Sequence, residues 1–316
     1  MPTRPRVVIS RPLPDAGLEL LVERFAVEMI DPGASPDWLR DHASGAAAII
    51  ADPSIPVDAA LLDAAGETLR VVSNFGVGYD NIDLDAVRAR GLQATNTPDV
   101  LTSSTAELAV ALMLAAGRRI AEADAIVRAG RWGQTGSDQL LGRDLAGATV
   151  GLIGYGRIGK RVAELLEGFG VRLLFHSDQP EPSPGAAQPC GLPELLAECD
   201  FVSLHVPLTP ETRHLIDADA LALMKPGAIL VNASRGPVVD TIALVDALVS
   251  GRLAAAGLDV YEDEPDVPAD LRDLPNTVLL PHLGSATVAT RNAMARLCAE
   301  NVIAVIDGRR PPTALV

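Results

Sequence analysis

Short apolar runs alternate with amphipathic stretches through the first hundred residues. Arg6–Ser10, Ala46–Ala51, Arg70–Asn74 and Leu92–Asn96 read as strands, their near-continuous hydrophobicity being that of a parallel sheet covered on both faces. Asp15–Phe25 and Asp83–Gly91 read as amphipathic helices between them, the second closing on a glycine. Around Ser104 the pattern changes. Ser104 and Glu107 have capping-box spacing, and the long apolar helix that follows, carrying Arg118 and Arg119 at its end, is expected between two domains. A glycine-rich loop over Arg128–Gly147 holds Trp132. A second, more regular series of strands is then expected at Thr149–Ile153, Arg172–His176, Phe201–His205, Ala228–Asn232, Ala255–Val260 and Val278–Leu280. Gln179–Pro189, with four prolines and no basic residue, reads as a solvated loop, and a last helix spans about Thr287–Asp307 before GRRPP stops it.

Gly154-Tyr-Gly156-Arg157-Ile158-Gly159 follows the apolar run TVGLI and opens a helical pattern. In that strand–turn–helix setting G-x-G-x-x-G predicts a dinucleotide site. The first glycine makes the turn, the second admits the pyrophosphate to the backbone, and the third lets helix pack on strand, while the helix N-terminus offers N–H donors. The acid that holds the adenosine ribose belongs at the end of the second strand, where Ser177 and Asp178 stand. Either can occupy the position. No basic residue lies between Arg172 and Arg213 to meet a 2′-phosphate, which favours NAD over NADP.

Three ionisable residues follow three successive strands: Arg235 in VNASRG, Glu264 in LDVYEDEP and His282 in LLPHLGSAT. In open α/β sheets the ligand crevice lies beyond the carboxyl ends of the strands, so all three reach the edge that carries the glycine loop. Their chemistry suits carbonyl reduction. An imidazole titrates near working pH and can protonate a developing alkoxide. A carboxylate paired with it fixes the tautomer and stabilises the acid form. An arginine presents forked donors to a carboxylate or a carbonyl oxygen.

Charge narrows the partners. Twenty-six basic against 41 acidic residues leave a net −15, which disfavours nucleic acid and anionic membrane surfaces. Three cysteines without C-x-x-C spacing suit a reducing compartment and no disulfide framework. No signal-peptide pattern and no 18-residue apolar stretch occurs, so a cytoplasmic location is expected. No metal-ligand spacing occurs either.

FGVGYDNID, TNTPDVLTSSTAE, GLIGYGRIGK, DFVSLHVPLTPET, MKPGAILVNASRGPVVD, GLDVYEDEP and PHLGSAT occur in this order over nearly the whole chain. Together they resemble the D-isomer-specific 2-hydroxyacid dehydrogenase family, and within it the glyoxylate/hydroxypyruvate reductase branch. The resemblance implies an α/β oxidoreductase in which a Rossmann dinucleotide-binding domain, residues 99–284, is inserted into a flavodoxin-like substrate domain formed by residues 1–98 and 285–316. It implies NAD(P)H-dependent reduction of a small 2-oxo acid to the D-2-hydroxy acid, in a homodimer. The family's catalytic set falls on Arg235, Glu264 and His282, with Glu264 chosen by its place before Pro265 and Glu262 left as a solvated loop charge. Val77 and Gly78 match a backbone clamp on the substrate carboxylate, shared with Arg235. Further cofactor contacts match at Arg157, Ile158, Val206, Pro207, Ala233 and Asp259, with Thr105 a lesser candidate. His205 reads as strand-end structure, and His42, His176 and His214 have no partner in any motif. Where NADP-preferring reductases of the branch often carry arginines, this chain has Ser177-Asp178-Gln179. Two alternatives stay open: a dehydrogenase for another 2-hydroxy acid, and a dinucleotide-sensing scaffold that keeps the fold. The scaffold reading predicts docking tails beyond the last helix, where only about ten residues follow.

Overall fold

The computed structural model describes residues 4–30, 37–133, 136–178 and 187–316, which divide into two compact units. The first comprises residues up to Leu101 together with Ser285–Val316, and the second Thr102–Gly284. The first unit begins as β1 (Arg6–Ile9), α1 (Asp15–Val22), β2 (Ala26–Met29), α2 (Trp38–His42), β3 (Ala48–Ala51), α3 (Ala59–Ala65), β4 (Val71–Asn74), α4 (Leu84–Ala89) and β5 (Gln93–Thr95). These strands form a wholly parallel sheet of order β2-β1-β3-β4-β5. Every residue of β3 and β4 is buried, as continuous apolar strands beneath helices on both faces must be.

The second unit runs α5 (Thr102–Gly117), α6 (Ile120–Arg128), β6 (Thr149–Ile153), α7 (Arg157–Leu166), β7 (Arg172–His176), β8 (Gln188–Pro189), α8 (Leu192–Glu198), β9 (Phe201–Leu204), α9 (Ala218–Leu223), β10 (Ala228–Asn232), α10 (Thr241–Val249), β11 (Leu253–Leu258), α11 (Ala269–Arg272) and β12 (Thr277–Leu279). Its seven strands are parallel in the order β12-β11-β10-β9-β6-β7-β8. Strand order reverses between β6 and β9, the place where a doubly wound sheet opens a ligand crevice. α7 buries Gly159, Val162, Ala163 and Leu166, an i, i+3, i+4, i+7 stripe. The chain then returns to the first unit as α12 (Val288–Ile306), capped by the Thr287 hydroxyl and packed on α1 and β4. A Cβ on Gly17 would lie 2.3 Å from the Ala295 carbonyl, so only glycine lets α1 approach α12 this closely.

Several expectations need correction. α5 starts at Thr102, which puts Ser104 inside its first turn rather than at its cap. Its apolar surface is covered within the second unit, by α7, β10, β11 and β12, so a place between domains is not needed to explain its burial. α6 and β2 were not anticipated: α6 has no buried residue and β2 is a half-exposed edge strand, so neither carries a strong core signal. β8 falls in the segment read as a loop, pairing Leu174 with Gln188 and Phe175 with Pro189, and proline is tolerated there because the strand is an edge. The rest of that loop, residues 179–186, lies outside the described residues. Cys199 and Cys298 are buried and burial pushes both thiols up to about 12, which suits core filling rather than reactivity. No helix among the described residues is long and apolar enough to cross a membrane.

Candidate active site

The glycine loop joins β6 to α7. Gly154 holds φ 93°, and a Cβ there would lie 2.6 Å from the His205 carbonyl, so this turn needs glycine twice over. A Cβ on Gly159 would lie 2.3 Å from the Gly154 carbonyl, which is how the third glycine lets α7 sit on the turn. Gly156 differs: among the described residues no atom lies within 4 Å of its missing Cβ, and it stands at the N-cap of α7 with no side chain of its own to cap the helix. An open cradle at a helix N-terminus fits a dinucleotide pyrophosphate. Arg157 and Ile158 open the helix, Ser177 and exposed Asp178 follow β7, Val206 and Pro207 follow β9, and Ala233 follows β10.

The ionisable residues lie beyond the neighbouring strands of the same sheet. After β10, buried Asn232 ties down its own loop, donating to the Arg235 carbonyl (2.9 Å) and accepting from the Ser234 N–H (3.0 Å) and hydroxyl (2.9 Å). After β11, Glu264 accepts from the Tyr261 N–H through Oε1 (3.0 Å), while its Oε2 lies 2.8 Å from His282 Nδ1. That contact makes Nδ1 the protonated nitrogen and leaves Nε2 for chemistry. Burial opposes ionisation of Glu264, but the hydrogen bond and charge of His282, the Tyr261 N–H and the charge of Arg235 outweigh it. The carboxyl therefore sits below its ordinary range. The His282 side chain is 46% exposed.

Asp259, at the end of β11, shapes the loop that carries His282. Its carboxylate accepts from the N–H groups of Leu283 (2.6 Å) and Gly284 (2.8 Å), its carbonyl accepts from the His282 N–H (2.9 Å), and the Thr105 hydroxyl donates to the Gly284 carbonyl (3.1 Å). These bonds hold His282 at φ 54°. Asp259 is 1% exposed, and burial raises its pKa despite the two N–H donors. Its side chain and that of Thr105 are thus occupied in building the loop.

In the first unit, the turn Phe75–Gly78 follows β4 and its carbonyls are taken one by one. The Thr97 N–H donates to Gly76 O (3.0 Å), Asn96 Nδ2 to Val77 O (2.7 Å) and Asn74 Nδ2 to Gly78 O (2.6 Å), with Asn81 bracing Asn74 at 3.2 Å. Among the described residues, the N–H groups of Val77 and Gly78 donate to no acceptor. The three asparagines were missed from sequence, although Asn81 and Asn96 sit inside quoted motifs and Asn74 immediately precedes one.

One histidine departs from its sequence reading, and His205 keeps its place as strand-end structure. His214 does have a partner: its Nε2 lies 2.7 Å from Oε1 of Glu262, which is therefore not a solvated charge. His205 lies at the end of β9 with Nε2 3.0 Å from the Ser203 hydroxyl and, among the described residues, no partner for its buried Nδ1. Burial lowers its pKa to about 4, so it stays neutral beside the glycine loop.

Residues 110–284 match the profile of the D-isomer specific 2-hydroxyacid dehydrogenase NAD binding domain. The glyoxylate reductase of Thermococcus onnurineus is 46% identical, the match covering 98% of this chain and 95% of that protein. A solved structure of a Thermus thermophilus protein is 45% identical with a TM-score of 0.93, covering 98% of this chain and all of that one. The NADPH-dependent glyoxylate/hydroxypyruvate reductase of Sinorhizobium meliloti, solved with NADP and malonate, is 38% identical with a TM-score of 0.88 and covers 99% and 97% of the two chains. Nearly full-length identity of this degree, on the same pair of parallel sheets, places the chain in the D-isomer-specific 2-hydroxyacid dehydrogenase family.

Proposed function

We propose that this chain reduces a small 2-oxo acid of the glyoxylate or hydroxypyruvate class to the D-2-hydroxy acid, with His282 as the general acid. The observation that carries the reading is the 2.8 Å pair of Glu264 and His282, beyond the strands of a sheet that also carries the glycine loop. When bound, the nicotinamide dinucleotide supplies the hydride. The glycines 154, 156 and 159, with Arg157 and Ile158, hold its pyrophosphate; Ser177 and Asp178 meet the ribose; Val206 and Pro207 flank the adenosine half; Ala233 and Asp259 lie toward the nicotinamide. The Arg235 guanidinium receives the substrate carboxylate and polarises the carbonyl, and the N–H groups of Val77 and Gly78 in the first unit are donors that suit a carboxylate. Protonated His282 then delivers the Nε2 proton to the carbonyl oxygen as negative charge develops there, and the Glu264 carboxylate stabilises the imidazolium until transfer. On this reading the first unit is the substrate domain and the second the cofactor domain.

The test is a steady-state panel of glyoxylate, hydroxypyruvate, pyruvate and phenylpyruvate with NADH and NADPH. Rapid oxidation of NADH with glyoxylate or hydroxypyruvate is expected; no turnover with any of the four contradicts the reading. NADH is the favoured cofactor because Asp178 repels a 2′-phosphate and no cation stands between Arg172 and Arg213. Repulsion of even about 1.4 kcal/mol is a tenfold preference, and Asp178→Arg is expected to reverse it; a wild type that already prefers NADPH severalfold contradicts this choice. The protein works in the reducing cytoplasm, consistent with its three free cysteines. It is a homodimer, an assignment supported by the exposed apolar side chains Ile120, Val127, Leu141 and Trp132, the last 73% exposed. Light scattering that gives the mass of one chain contradicts the dimer.

A further inference from the structure

Another glutamate–histidine pair lies one step behind that of Glu264 and His282. Glu262 belongs to the same loop as Glu264, and its carboxylate is a junction of three segments. Oε1 is 2.7 Å from His214 Nε2 and 3.8 Å from an Arg213 guanidinium nitrogen, both from the chain between β9 and α9. Oε2 accepts from the N–H of Thr241, the first residue of α10, at 3.1 Å. Burial opposes its ionisation, but hydrogen bonds from His214 and Thr241 outweigh that, and the carboxyl lies below its ordinary range.

The segment that carries Arg235 is bound into the same junction. The residue after it, Gly236, packs so tightly that a Cβ would overlap the Tyr261 carbonyl group and crowd the Glu262 nitrogen. The short 3₁₀ turn Gly236–Val238 accepts from the N–H groups of His214 (2.8 Å, to Pro237 O) and Ile216 (3.0 Å, to Val238 O). Tyr261, beside Glu262, gives its N–H to Glu264 and its hydroxyl to the Leu280 carbonyl (3.0 Å), two residues before His282. His214 itself is held at φ 52°, a left-handed conformation that an L residue bearing a Cβ adopts at a cost. Backbone strain of this kind persists only where the surrounding bonds over-determine the residue.

We propose that Glu262 and His214 are positioning residues for the reaction: their pair fixes the Glu264 loop against the Arg235 segment, so that Glu264 meets His282 Nδ1 in the geometry that keeps Nε2 as the acid. Neither touches substrate. The proposal rests on the reductase reading above for its kinetic consequence, but not for its structural one. A displacement of about 1 Å at a catalytic group costs up to about a hundredfold in rate, so the loss expected on cutting this link is between about tenfold and a hundredfold.

The test uses full-length wild type, Glu262→Ala, Glu262→Gln, His214→Asn and the Glu262→Gln/His214→Asn double variant. Asparagine is chosen at 214 because it adopts the left-handed conformation readily, which separates loss of the side chain from backbone strain. Melting temperature, NADH affinity and glyoxylate kinetics are measured on each, with the ring ¹³C signal of His282 assigned among five histidines by its absence from His282→Ala. Positioning predicts a fall in kcat of about tenfold or more in Glu262→Ala, NADH affinity unchanged, and a displaced His282 signal. His214→Asn and Glu262→Gln lose a similar factor, and the double variant loses no more than either alone, because both cut one link. If Glu262→Ala does not fold, those two variants carry the comparison. An unmoved His282 signal or an unchanged kcat overturns the proposal, whatever the melting temperature does. If wild type turns over no 2-oxo acid, the reductase reading fails and the His282 signal alone decides the positioning claim.

Discussion

The two units prepare their strand edges by opposite means. In the first, the turn Phe75–Gly78 is fixed by neutral amides: Asn74 and Asn96 tie two of its carbonyls at 2.6 and 2.7 Å, and Asn81 braces Asn74 at 3.2 Å. In the second, the loops that carry Glu264 and His282 are fixed largely by carboxylates, with Asp259, Glu262 and Glu264 each taking backbone N–H groups while two of them pair with histidines. Amides aim backbone donors and have no charge state to lose. Carboxylate–imidazole pairs cost desolvation but hold a proton in a chosen place. Under the proposed function, the unit that grips an anion is built from the first kind of bond and the unit that moves a proton from the second.

That contrast can be broken at its strongest point first. His282→Ala is expected to lower kcat for glyoxylate reduction by about 10²–10⁴-fold, with NADH affinity unchanged by fluorescence titration. Turnover near wild type removes the general acid from the account. Acid sensitivity comes next. His205 stays neutral when folded down to about pH 4 because it is buried. The unfolded chain takes up this proton as pH falls below about 6.5, so stability is lost between there and the folded value. Urea unfolding should show about 2 kcal/mol of that loss between pH 7 and pH 5. His205→Gln should flatten it; an equally steep dependence in the variant assigns the acid sensitivity elsewhere. The smallest effect belongs to the neutral edge. Asn74→Ala frees the Gly78 carbonyl and loosens the turn, which should raise the KM for the 2-oxo acid about tenfold, near the 1.4 kcal/mol that one hydrogen bond contributes. The shape of its pH profile should not change, and a shifted profile would contradict the division between the two edges.

The same contrast explains what was legible in the sequence. The strands β6, β7 and β10 were delimited residue for residue, because their interiors are buried on both faces and hold no polar residue to blur the apolar run. Edge strands β2 and β8 and the surface helix α6 were not, since each exposes much of its length. Motif order put Arg235, Glu264 and His282 after successive strands, where they stand. Glu262 was misjudged for a different reason: its partner His214 is 48 residues away in the chain, and no local pattern announces a bond of that separation. Asp259 and Thr105 were read by position alone, whereas their side chains are occupied in building the His282 loop.

The central claim is that the proton delivered in reduction sits on His282 and is held there by Glu264. The direct test is the pH dependence of kcat/KM for glyoxylate reduction in wild type and Glu264→Gln. Reduction needs the protonated imidazole, so wild-type activity falls on the alkaline side. Burial opposes the charge on Glu264, yet its carboxyl lies below the ordinary range through the His282 hydrogen bond and charge, so Glu264 faces His282 Nδ1 as a carboxylate. With that anion removed, the alkaline limb moves to lower pH while the binding of NADH is unchanged. A Glu264→Gln profile that superimposes on wild type would contradict the account.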